Sequence, residues 1–175
     1  MVRKLVGLAL ASPLILAPVA PPPAQHKPPN LCSAVEEVIF ACRIGAKRVS
    51  VCGGHDGGRR YAQYRYGTLG HIELAHPATA IPGAGDMRFA SIMYSGGGEG
   101  QVIFANEGVQ YIVFSSMTRT RFDGQGNDPA FDSGVAVMRG GKTVATLHCS
   151  PRDGGNVDYN LAEKYMPERE PIYRD

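Results

Sequence analysis

Between residues 38 and 149 apolar positions recur every second residue, in short runs broken by glycine- or proline-bearing stretches. Successive side chains leave a strand on opposite sides, so a period of two marks strands with one buried face. VIFACR (38–43) and KRVSVC (47–52) flank Gly45-Ala46 and predict a hairpin. RYAQYRYG (60–67) sets Tyr61, Gln63 and Arg65 against Ala62, Tyr64 and Tyr66. HIELAH (71–76), RFASIMYS (88–95) and QVIFA (101–105) read as further strands. VQYIVFSSM (109–117) is apolar on both faces and predicts a central strand covered on both sides. GVAVMR (134–139) and KTVATLHC (142–149) flank Gly140-Gly141, a pair suited to a two-residue hairpin turn. GGHDGGRR, PATAIPGAGD and DGQGNDPAFD read as loops, and the glycine run in YSGGGEG as a connection.

Roughly nine strands at regular turn spacing predict an all-β fold, a single antiparallel β-sandwich or barrel over residues 32–150. Residues 151–175 read as a polar tail, in which NLAEKYM (160–166) predicts one or two helical turns with Asn160 as N-cap. With 22 glycines and 13 prolines in 175 residues, the composition favours many short strands over a few long helices.

The first thirty residues differ from the rest. Arg3 and Lys4 precede an apolar run from Leu5 to Ala20, and small residues and prolines end it. This is the layout of a secretory signal peptide, placed at 1–24, with a Pro-rich linker at 25–31. Ser12, Pro13 and Pro18 interrupt a run already shorter than the ~20 residues a membrane helix needs. A periplasmic or secreted protein without a membrane span after signal removal is therefore expected. The chain carries 18 Lys and Arg against 16 Asp and Glu; losing Arg3 and Lys4 brings the two to parity. Net charge then gives no long-range pull on nucleic acid or anionic membrane.

Export changes the reading of Cys32, Cys42, Cys52 and Cys149. An even number of cysteines in an oxidising compartment points to disulfides. No pair is two to four residues apart, so zinc spacing is missing. In the first hairpin Cys42 lies near the turn and Cys52 at the open end, too far along the ladder for a bridge that needs Cα atoms within ~7 Å. Cys32 enters at the open end, which favours Cys32–Cys52 with Cys42–Cys149.

Each candidate motif has a plain alternative. Gly96, Gly97, Gly98 and Gly100 are followed by a strand, so no helix N-terminus is available to cradle a phosphate. A bare-backbone loop at Tyr94, Ser95, Gly96, Gly97, Gly98 and Glu99 can instead let a partner approach closely. His71 and Glu73 share a strand face and would need a third ligand to hold a metal. His55-Asp56 has no nucleophile elbow beside it. Asp123, Asn127, Asp128 and Asp132 lack the alternating spacing of a calcium loop. Arg119 and Arg121 make a small cationic spot. No spacing singles out a carboxylate pair of the kind glycosidases use. Neither a cofactor nor a metal is implied, and the pattern points away from an enzyme.

The runs CSAVEEVIFACRIGAKRVSVC, YAQYRYG, YIVFSS and SGVAVMRGGKTVATLHC, spanning Cys32 to Cys149, resemble a group of small exported bacterial proteins of unassigned function. The architecture more distantly resembles periplasmic lysozyme inhibitors. These carry a Ser-Gly-x-x-Tyr motif on a loop that enters the lysozyme cleft. Here Ser95-Gly96 is followed by Gly98-Glu99, and Ser133-Gly134 by Val135-Ala136-Val137, without that tyrosine. The resemblance implies a non-catalytic binding protein whose partner is a lysozyme-like protein or cell-wall glycan, with Glu99 meeting a basic surface. The alternative is an envelope-polymer hydrolase using Glu73, His71 and an acid from residues 123–132.

Overall fold

The structure, a computed structural model, describes residues 29–80, 82–83, 85–120 and 128–174. The signal segment at 1–24, most of the linker, Arg121, Asp123 and Asn127 lie outside the described residues. Two antiparallel sheets, each a meander in chain order, form a sandwich. The first contains β1 (Glu37–Ile44), β2 (Lys47–Asp56), β3 (Arg59–Thr68) and β4 (His71–His76). The second contains β5 (Arg88–Tyr94), β6 (Gly97–Asn106), β7 (Val109–Arg119), β8 (Pro129–Arg139) and β9 (Lys142–His148). A short helix, α1 (Tyr159–Tyr165), follows.

The inward faces meet in one apolar core. Phe40, Val49, Val51 and Tyr64 from the first sheet pack with Phe89, Val102, Phe104, Val113 and Val135 from the second. β7 is central in its sheet and buried on both faces, with Val113 in this core and Ile112 and Phe114 in a second cluster on the outer side. The bridges join Cys32 to Cys52 and Cys42 to Cys149, the connectivity that hairpin geometry favours. The second ties β1 to the residue after β9, and so one sheet to the other.

Three sequence expectations need correction. The stretch GGHDGGRR is not a loop: β2 continues through Gly53, Gly54, His55 and Asp56, and only Gly57-Gly58 turn, at φ of 54° and 79°. Gly53 and Gly54 interrupt the side-chain pattern because the rings of Tyr165 and Tyr61 occupy the space their Cβ atoms would need. The cap of α1 is Asp158, whose Oδ1 accepts the Leu161 N–H at 3.0 Å, while Asn160 lies inside the helix.

Residues 151–174, expected as a polar tail, are instead an integral part of the fold. Val157, Ala162, Tyr165 and Met166 join the main core. The Ser150 and Asp158 N–H groups donate to Arg43 and Ile39 carbonyls at 2.7 and 2.9 Å, covering the free edge of β1. Residues 167–169 then cover the edge of β5: the Phe89 N–H reaches the Pro167 carbonyl at 3.0 Å, and the Arg169 N–H reaches the Phe89 carbonyl at 2.8 Å. Both edges would otherwise offer unpaired backbone to other chains.

Candidate functional site

The glycine run sits in strand. Tyr94 pairs with Gly97, so only Ser95 and Gly96 turn, and Gly96 takes φ 111°. A Cβ on Gly97 would overlap the Met117 carbonyl. On Gly100 it would lie 3.1 Å from the Tyr159 ring and 3.2 Å from Val157. These glycines are therefore set by close approach of β7 and of the segment leading into α1. Side chains alternate along β6: Val102 lies in the core between the sheets, and Ile103 in the outer cluster. Gly98 and Gly100 share the inward face with Val102, while Glu99 and Gln101 share the outward face with Ile103.

Gly98 opens onto a groove of about 860 Å³ at one end of the sandwich. That volume is within the ~300–1,000 Å³ of small-ligand sites. The second sheet contributes Ser115, Met117, Phe131 and Ser133; residues 149–151 and 154–156 and Tyr159 supply the other side. Phe131 is 77% exposed. The hydroxyls are held in place: Ser115 Oγ accepts the Val157 N–H at 2.9 Å, and Ser133 Oγ accepts the Gly155 N–H at 3.3 Å. The Ser115 hydroxyl in turn donates to Asn156 Oδ1 at an Oγ–Oδ1 distance of 3.5 Å, while that of Ser133 keeps a hydrogen to donate.

Asp132 and His148 stand at the rim, with Oδ1 and Nδ1 2.8 Å apart and both side chains more than half exposed. Among the described residues no hydroxyl is hydrogen-bonded to the His148 ring: Ser116 points at the Asp132 carbonyl, and Ser133 is engaged by Gly155. A His–Asp pair orients an imidazole, and acyl transfer would in addition need a nucleophile hydrogen-bonded to that ring.

Of the loop residues singled out in the sequence, Ser95 is exposed at the turn and Gly98 lines the groove. Glu99 is buried on the other face, where it meets Arg174 Nη2 at 2.5 Å, Gln101 Nε2 at 2.8 Å and Tyr94 Oη at 3.3 Å. Burial, then the Glu99 charge, pushes the Tyr94 hydroxyl pKa up. The cation that Glu99 was expected to meet on a partner is supplied by the chain's own Arg174.

Among the described residues, those of the hydrolase alternative are not brought together. Glu73 accepts the Lys47 ammonium group beside exposed His71 on β4, an edge of the first sheet, whereas Asp132 lies on β8 of the second. His76 packs inward, stacked on Phe104 at 4.6 Å with Nε2 2.7 Å from Asp86. Asp128 holds the base of its loop, its carbonyl accepting from the Thr120 N–H and hydroxyl. The described part of the Arg119–Arg121 spot is Arg119, which lies against the Gly96 turn. Among the described residues no three His, Cys, Asp or Glu side chains are placed to hold a metal, and no helix is long and apolar enough to cross a membrane.

Sequence reasoning missed Tyr159, Asn156 and Arg174. Isolated polar or aromatic residues in a segment without strand periodicity leave no pattern to read. No protein family matches the chain, and no curated protein or solved structure shows a significant likeness to it.

Proposed function

We propose that this is an exported, non-catalytic binding protein that holds a protein or cell-wall partner in the groove between β7, β8 and residues 149–156. The observation that carries this is the pairing of exposed Phe131, at the mouth, with the anchored hydroxyls of Ser115 and Ser133 within. An apolar platform beside a few fixed polar groups is what a ligand site requires. Export is supported by the 1–24 segment and by two disulfides, which persist in oxidising compartments. In the inhibitor-like version the partner is lysozyme, and the Ser95-Gly96 turn lies at the contact.

The test is a titration of isotope-labelled mature protein with soluble peptidoglycan fragments and, separately, with lysozyme, read by amide chemical shifts and by lysozyme activity. Shifts confined to Gly98, Ser115, Ser133 and residues 149–156, lost in Phe131→Ser, support the reading. Loss of lysozyme activity selects the inhibitor version, and full activity at micromolar excess removes it. If neither ligand moves the groove resonances, the reading fails.

A further inference from the structure

The outer face of the five-stranded sheet would ordinarily meet water, yet beside its apolar cluster even polar residues are sealed. Glu99, Gln101 and Phe114 are 2%, 0% and 0% exposed. They are sealed by residues 172–174, which lie across the sheet. The Gln101 carboxamide makes two hydrogen bonds to the backbone of a single residue: its Nε2 donates to the Ile172 carbonyl at 2.8 Å, and its Oε1 accepts the Ile172 N–H at 2.9 Å. This clamp reads main chain and is indifferent to the side chain it holds. Ile172 rests on the apolar cluster of Ile103, Ile112 and Phe114. Tyr173 points away and is 74% exposed. The Arg174 guanidinium lies 3.5 Å over the Phe114 ring while bonding Glu99.

One residue in, the next out, the third in is how an extended peptide presents itself. The groups beneath match that spacing: an apolar bed, a backbone clamp, and a carboxylate beside an aromatic face. The last pair selects a guanidinium, which combines charge with a flat face that stacks on a ring. A neutral side chain there would leave the Glu99 carboxylate buried and unpaired.

We propose that this face is a recognition site for an extended peptide of the pattern apolar-x-Arg, filled by the chain's own residues 172–174 as a tethered ligand, which a protein partner presenting the same pattern displaces. The site is separate from the groove, since Glu99 and Gln101 leave β6 on the face opposite to Gly98. Tethering gives the internal segment an effective concentration on the order of millimolar, so a free competitor binds weakly until the internal arginine is removed.

The experiment uses full-length mature protein and a fluorescent peptide, acetyl-Pro-Ile-Tyr-Arg-amide, followed by anisotropy. Arg174→Ala is expected to bind it at least about tenfold more tightly than the wild type. Replacing the peptide's arginine by citrulline, which keeps the shape and removes the charge, should abolish binding, as should Glu99→Gln in the Arg174→Ala chain. Absence of saturable binding to folded Arg174→Ala, or equal binding of the citrulline peptide, overturns the proposal. Should Arg174→Ala not fold, excess peptide added to wild type must speed hydrogen exchange at the Ile172 amide; unchanged exchange overturns it equally. Groove binding by Phe131 is unaffected by either result.

Discussion

Arg65 and Glu36 meet through two parallel hydrogen bonds, Nη1 to Oε2 and Nη2 to Oε1, each 2.7 Å, with the Glu36 side chain 1% exposed. The pair is not isolated. Ser33 N–H and Tyr61 Oη also donate to the carboxylate, at 2.6 and 2.9 Å, and Arg65 reaches the Leu31 carbonyl at 2.8 Å. The network thus fastens the segment around Cys32 to β3. Glu36→Gln leaves the guanidinium facing a neutral amide in a nearly dry site. Removing one partner of a buried pair costs ~3–5 kcal/mol, and Arg65's residual contact with water places this one near the lower bound. Urea unfolding of the oxidised protein at neutral pH should show that loss.

The same pair makes stability depend on acid. Burial pushes the Glu36 carboxyl up, but the Arg65, Ser33 and Tyr61 hydrogen bonds outweigh it and hold the pKa below the ordinary 4.5. A carboxyl whose folded pKa is depressed contributes stability in full above its unfolded value, and loses it as pH falls through the folded one. Wild-type stability should therefore drop as pH is lowered from about 4.5, while Glu36→Gln shows a shallower fall over the same range. Parallel slopes in the two proteins would mean that other carboxylates carry the acid response.

The two disulfides should differ in weight. Cys42–Cys149 closes 107 residues and Cys32–Cys52 closes 20. In the chain-entropy model, loops of these lengths are worth ~4.8 and ~3.3 kcal/mol. Replacing Cys42 and Cys149 together by serine should cost about 1.5 kcal/mol more than replacing Cys32 and Cys52, measured by urea midpoint. It should also loosen residues 150–158, so hydrogen exchange at the Ser150 and Asp158 amides should rise selectively in the Cys42/Cys149 double variant.

Most of the strands were legible because burial on one face writes itself as alternation, and β7 showed its double burial as Ile112, Val113 and Phe114 in succession. Glycine was where reading failed. Gly53, Gly54, Gly97 and Gly98 look like loop, yet they lie in strands, because the groups that exclude a side chain, the Tyr165 ring among them, come from distant sequence. The core contribution of α1 left a faint trace, since Leu161, Ala162, Tyr165 and Met166 fall at helical spacing. Glu99 was visible as a lone acid among glycines. Its occupant was not, because nothing local to Arg174 says which face it crosses.

That dependence of glycine on distant residues can be measured at Gly53. A Cβ there would lie 2.4 Å from the nearest atom of the Tyr165 ring, which packs into the core and whose hydroxyl donates to Glu37 and lies 3.1 Å from His55 Nε2. Gly53→Ala must therefore displace α1 or bend β2. Overpacking of this kind costs ~1–3 kcal/mol. Gly70 makes a suitable control, because a Cβ there meets nothing within 4 Å and its φ is not positive. Gly70→Ala should change stability by no more than about 0.5 kcal/mol. In Gly53→Ala the Ala162 and Met166 amides, which close α1 onto Asp158 and Ala162, should lose hydrogen-exchange protection before those of β6 and β7 do. If protection falls evenly across the molecule instead, α1 unfolds together with the sandwich and Tyr165 is not a separable lock.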